Sequence, residues 1–173
     1  MSDSRGMARI APAIGLALFL SLPLVAQEAR PTAGDSAVAI ARRQLGIRYV
    51  FGGTSPERGF DCSGLLQYTM RALGLQIPRT AAEQARAGRE IPRDTSQLRP
   101  GDLLYFGQRG RVTHVGMYVG GGRFIHASSG SRRITESRLD RPQSSLVRAW
   151  YGVRRLFSDS TATVAANQPP GSR

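Results

Sequence analysis

The chain has 173 residues and a formal charge of +12, carried by arginine alone because the sequence contains no lysine. Its single cysteine rules out an internal disulfide framework. The arginines are scattered from Arg42 to Arg155 with no interleaved aromatic block, which argues against nucleic acid as partner and leaves a general attraction to anionic polymers or acidic peptides.

Arg5 and Arg9 precede an uncharged apolar run from Ile10 to Ala26, followed at once by Gln27, Glu28 and Arg30. This is the layout of a secretory signal peptide, residues 1–26; the run is short for a membrane-spanning helix and is broken by Pro12 and Pro23. Leu24 is a poor residue three before a cut after Ala26, and a retained anchor is the alternative. No cysteine lies near the end of the run, so no lipid-modified N-terminal cysteine is expected. The remainder has the size of one domain, which buries roughly 70% of its unfolded surface. The expected division is a linker over 27–35, a catalytic domain over 36–157 and a disordered tail over 158–173, where Ser, Thr, Ala, Asn, Pro and Gly dominate.

Within the domain, Ala37, Ile40, Ala41 and Leu45 mark an amphipathic helix, capped near Asp35 or Ser36 and stopped at Gly46. Tyr49 to Gly53 reads as a short extended piece entering a loop with Pro56 and Gly59. A second helix is expected from about Asp61 to Leu73, with Leu65, Leu66, Met70 and Leu73 at helical spacing, and Thr80 to Glu83 has the form of a capping box for a helix through about Ala87. The periodicity then changes. Leu103–Phe106, Val112–Val119, Arg123–Ala127 and Val147–Leu156 read as strands, with Gly120–Gly122 as a turn. Helices first and an antiparallel sheet afterwards predict an α+β domain.

Cys62 stands in the first turn of the second helix, facing unpaired backbone N–H groups and the positive end of the helix dipole, which is where a nucleophilic thiolate is placed; a small core residue is the alternative. An unpaired cysteine in an oxidising compartment is a liability unless it is buried or used. Tyr49 lies beside the thiol or in the core. His114 shares a strand face with Gly116 and Tyr118, while Val115, Met117 and Val119 face the core. A hairpin centred on Gly121 sets His126 opposite Gly116 and makes it the diagonal neighbour of His114 on the same face; a one-residue slip separates them. Two adjacent imidazoles serve either as metal ligands or as a proton relay to a thiol. No carboxylate or second cysteine stands at ligand spacing around them, so no metal or other cofactor is expected.

The blocks Tyr49-Val50-Phe51-Gly52-Gly53, Phe60-Asp61-Cys62-Ser63-Gly64-Leu65, Pro78-Arg79-Thr80-Ala81-Ala82-Glu83-Gln84, Leu98-Arg99-Pro100-Gly101-Asp102-Leu103, His114-Val115-Gly116-Met117-Tyr118-Val119-Gly120 and Phe124-Ile125-His126-Ala127 resemble the NlpC family of papain-like cell-wall cysteine peptidases, in order and spacing, from about Ser36 to Leu156. The resemblance implies a papain-like core in which the nucleophile helix packs on an antiparallel sheet of about five or six strands. It implies hydrolysis of peptidoglycan stem peptides, most often at the bond between γ-D-glutamate and meso-diaminopimelate or its equivalent. Carried over residue by residue, Cys62 is the nucleophile, His114 the general base and His126 the residue that orients it. Tyr49 matches a tyrosine that helps stabilise the oxyanion, and Asp61 and Ser63 match positions that contact the stem peptide. The setting implied is the periplasm or wall space of a bacterium, with no stable membrane association after signal cleavage. An amidase or acyl transferase on another substrate, or a non-catalytic wall-binding protein, are the alternatives.

Overall fold

The computed structural model describes residues 31–108 and 110–158. The expected signal peptide lies outside the described residues, as does the expected tail beyond Ser158.

The first helix, α1 (Ala33–Arg42), is capped by Thr32, whose Oγ1 accepts the Asp35 N–H at 3.1 Å while the Asp35 carboxylate accepts the Thr32 N–H at 3.0 Å. The sequence places this cap at Asp35 or Ser36. The reciprocal box satisfies two helix-end donors from Thr32, so Asp35 falls inside the first turn and the helix takes in residues read as linker. A small pair, β1 (Thr54–Ser55) and β2 (Gly59–Phe60), then delivers the chain to α2 (Cys62–Arg71), capped by Asp61. Next comes α3 (Ala81–Gln84), which carries the expected Thr80–Glu83 capping box and ends earlier than expected, because the chain tightens into three-residue turns through Arg86 and Ala87.

Six strands form the main sheet: β3 (Arg89–Ile91), β4 (Leu103–Gln108), β5 (Arg111–Gly120), β6 (Arg123–Ser128), β7 (Arg133–Arg138) and β8 (Trp150–Arg155). They pair antiparallel in the order β3-β8-β4-β5-β6-β7, so the domain is α+β. β3 and β7 are additions to the strands read from sequence. The last expected strand begins later, at Trp150, because Ser144 caps a helical turn, α4 (Ser145–Arg148), before it.

Both faces of the sheet are covered. On one, Val115, Met117, Val119 and Ile125 pack with Ala37, Val38 and Ala41 of α1 and Leu65, Leu66 and Met70 of α2. On the other, Phe106, Tyr118, Phe124 and Val153 form a second apolar cluster. Removing the apolar surface of these two clusters from water is the main favourable contribution to folding. No helix among the described residues is long and apolar enough to cross a membrane.

Candidate active site

The start of α2 is built backbone against backbone on the loop before it. Asp61 Oδ1 accepts the Gly64 N–H at 2.7 Å, Asp61 Oδ2 accepts the Gly52 N–H at 3.0 Å, and the Asp61 N–H donates to the Gly53 carbonyl at 3.1 Å. A side chain at Gly64 has no room: its Cβ would stand 2.1 Å from the Gly53 carbonyl oxygen. Arg79 closes the cluster from outside, donating to Asp61 Oδ1 at 3.1 Å, to Asp61 Oδ2 at 2.6 Å and to Ser63 Oγ at 2.9 Å. A bidentate arginine holds a carboxylate in one orientation. Asp61 and Ser63, read from sequence as substrate contacts, are therefore also parts of the scaffold that aims Cys62, and Arg79 is a site residue that sequence reasoning passed over although it lies in a quoted motif.

Cys62 is the first residue of α2 and is half-buried. The N–H groups of Val115, Ser63 and Cys62 itself act on its sulfur and favour thiolate, but burial outweighs them and the Asp61 charge adds to it, so the thiol is pushed above its ordinary pKa. At neutral pH the resting group is a thiol. The Val115 contact joins the helix to the sheet, because Val115 directly follows His114 on β5. Tyr49 is drawn into the same group: burial first, then the Cys62 and Asp61 charges, push its phenol above the ordinary value. Its backbone is tied down by donation to the Arg132 carbonyl at 2.9 Å and by a bridge to Phe60.

Away from the turn the hairpin of β5 and β6 has the register expected from sequence, with Met117 opposite Ile125 and Tyr118 opposite Phe124; next to the turn a bulge shifts it and sets Gly120 opposite Arg123. Continued by one pair it sets Gly116 against His126, and a Cβ on Gly116 would meet the His126 Cβ at 3.3 Å and the Phe124 ring at 2.9 Å. That missing side chain is the space through which His126 reaches His114. Their ring nitrogens, His114 Nε2 and His126 Nδ1, are 2.8 Å apart, with the rings nearly perpendicular at 87°. The far nitrogen of His126, Nε2, lies 3.0 Å from Ser137 Oγ on β7. Phe106 flanks His114 and Phe124 flanks His126, with ring centroids 5.9 Å and 5.0 Å apart. Burial holds His114 down at about 4; burial and then the proximity of His114 hold His126 down at about 3. Both imidazoles are neutral at neutral pH, and with Nε2 of His114 engaged by His126, Nδ1 is the nitrogen left to take a proton.

A cavity of about 390 Å³ beside α1, lined by Asp35, Arg99 and Asp102 among others, contains none of these groups and lies apart from the thiol and the imidazoles. Among the described residues no three His, Cys, Asp or Glu side chains converge as metal ligands.

A helix that offers a thiol to an antiparallel sheet bearing hydrogen-bonded imidazoles is the architecture of papain-like domains. Comparison narrows this to one family: the NlpC/P60 family model matches residues 46–152, and the chain belongs to that family. It is 42% identical over 111 residues to gamma-DL-glutamyl hydrolase of Bacillus subtilis (strain 168), covering 62% of this chain and 26% of that protein. It is 39% identical over 122 residues to murein DD-endopeptidase MepH of Escherichia coli (strain K12), covering 69% of this chain and 44% of that protein. Among solved structures, an NlpC/P60 family protein from Bacillus cereus ATCC 10987 matches with a TM-score of 0.66 and 34% identity, over 73% of this chain and 41% of that one. The chain spans less than half the length of each of these relatives.

Proposed function

We propose that this chain is an exported cysteine peptidase that hydrolyses peptidoglycan stem peptides. One observation carries the reading: the Cys62 sulfur sits against the backbone directly beside His114, whose Nε2 is held by His126 at 2.8 Å. Cys62 is the nucleophile, His114 the general base acting through Nδ1, and His126 the residue that orients it. The base is neutral and the nucleophile a thiol, so attack begins with proton transfer from Sγ to Nδ1 as the sulfur closes on the scissile carbonyl. The backbone N–H groups at the start of α2 and the Tyr49 hydroxyl face the developing oxyanion. His114 then returns the proton to the leaving amine, and water releases the acyl group from the thioester.

Asp61 and Ser63 are assigned to the substrate-facing wall. Arg79 already neutralises the Asp61 carboxylate there, so a stem-peptide ammonium that engages Asp61 competes with a guanidinium. The bond assigned is that between γ-D-glutamate and meso-diaminopimelate or its equivalent. The two curated relatives have similar identity to this chain and carry names for different cleavages, a glutamyl hydrolase and a DD-endopeptidase, which makes the identity of the released amine the deciding measurement. Export, to the periplasm or wall space, rests on the charged start and apolar run of residues 1–26.

The test is mass spectrometry of muropeptides incubated with the protein and, in parallel, with Cys62→Ala. New fragments ending at γ-D-glutamate are expected with the intact cysteine alone, and the variant is expected to keep its fold. Cleavage that survives in Cys62→Ala removes the thiol mechanism, and fragments ending elsewhere replace the assigned bond.

A further inference from the structure

The row of hydrogen bonds behind Cys62 does not stop at the second histidine. Thr135 faces His126 and Ser137 faces Phe124 in the register of β6 and β7, so Ser137 is the diagonal neighbour of His126 just as His126 is of His114. The alternate residue, Glu136, turns to the opposite face and bonds Arg42 of α1 at 2.9 Å. His114, His126 and Ser137 thus form one diagonal across three adjacent strands on a single face, with contacts of 2.8 Å and 3.0 Å.

A neutral imidazole carries one proton, so the three groups are not independent. For His114 to accept the thiol proton at Nδ1, its own proton must sit on Nε2 and be donated to His126 Nδ1. That nitrogen is then bare, the His126 proton sits on Nε2, and Ser137 Oγ is the atom that accepts it. In the opposite arrangement Ser137 donates to His126 Nε2, His126 Nδ1 donates to His114 Nε2, and His114 carries its proton on Nδ1, where it blocks the base. We propose that Ser137 is a positioning residue that accepts the His126 Nε2–H and so holds both imidazoles in the tautomer that leaves His114 Nδ1 open to Cys62. His126 is only 3% exposed, so water does not replace the serine as acceptor.

The inference rests on the assignment of Cys62 and His114 in the proposed function, but it is read without substrate. The chain contains two histidines, so histidine-selective ¹⁵N labelling gives a spectrum of these two rings alone. At pH 7 both are expected as Nε2–H tautomers. In Ser137→Ala the buried Nε2–H loses its acceptor, and His126 is expected to shift toward the Nδ1–H form, with kcat down by about tenfold or more and KM little changed. Ser137→Thr keeps the hydroxyl and is expected to restore both the spectrum and kcat. An Nδ1–H His126 in the unsubstituted protein overturns the proposal, even where Ser137→Ala does not fold. Tautomers unchanged in a folded Ser137→Ala overturn it too. Failure of the unsubstituted protein to release muropeptides strikes instead at the proposed substrate and leaves the tautomer result standing.

Discussion

At the scale of single residues, burial decides the charge of the relay. A neutral imidazole costs little inside the sheet and an imidazolium much, so His114 titrates at about 4 and His126 at about 3, against an ordinary 6.5. Between pH 6.5 and pH 4 the unfolded chain takes up protons on these groups and the folded chain does not. Their contribution to stability is therefore whole above pH 6.5, is lost as pH falls toward 4, and changes no further below about 3. Each histidine adds a slope of up to about 1.4 kcal/mol per pH unit inside that window. Urea midpoints measured from pH 7.5 to 4.5 should fall accordingly, and less steeply in His126→Asn, which keeps a neutral polar side chain; equal slopes would contradict the assignment. Both histidines were legible in the sequence because alternation and hairpin symmetry place them, and Cys62 because it stands at a capped helix start. Ser137 was not, since its only link to the site is a diagonal contact in a strand whose sequence, Arg-Ile-Thr-Glu-Ser-Arg, offers one core residue, Ile134.

At the scale of elements, the Asp-Cys-Ser-Gly sequence is a joint between a helix and a loop. Asp61 caps α2 and Gly64 permits the loop carbonyl of Gly53 to touch the helix, so the same four residues that carry the thiol also fix its direction. Gly64→Ala forces the two apart and should cost about 2–4 kcal/mol, at the upper end for one added methyl group. Arg71→Ala, on the exposed last turn of the same helix, should change stability by less than about 0.5 kcal/mol. Denaturant unfolding of the two variants checks the contrast, and equal effects would show that the contact is not rigid. The existence of α2 and of the β5–β6 hairpin followed from apolar spacing. The short edge strand β3 did not, because Arg89 and Glu90 are exposed and Ile91 alone turns inward, which leaves no alternation to read.

At the scale of the whole molecule, one buried ion pair ties the strand order together. Arg155 on β8 donates from Nε to Asp102 Oδ1 and from an NH2 nitrogen to Asp102 Oδ2, each at 2.7 Å, with side chains 9% and 1% exposed; Asp102 also accepts the Arg99 N–H at 2.8 Å. Asp102→Ala leaves a cation in a buried place and should cost about 3–5 kcal/mol. Glu136 bridges Arg42 and Arg123, which are 46% and 49% exposed, and Glu136→Gln should cost under about 1 kcal/mol. Thermal and denaturant midpoints of the two variants measure the difference; comparable losses would mean that burial does not set the worth of these pairs. The pair stands where it does because β8, the last described strand in the chain, is paired between β3 and β4 rather than at an edge. This has a consequence in time. A chain made or threaded from its N-terminus holds Cys62, both imidazoles and Ser137 well before residues 150–155 arrive, yet β4 waits with one side unpaired and β3 without a partner until they do. Long-range pairing of this kind is slow to form. The order of synthesis thus acts as a delay: the sheet closes only when the last described strand has been delivered.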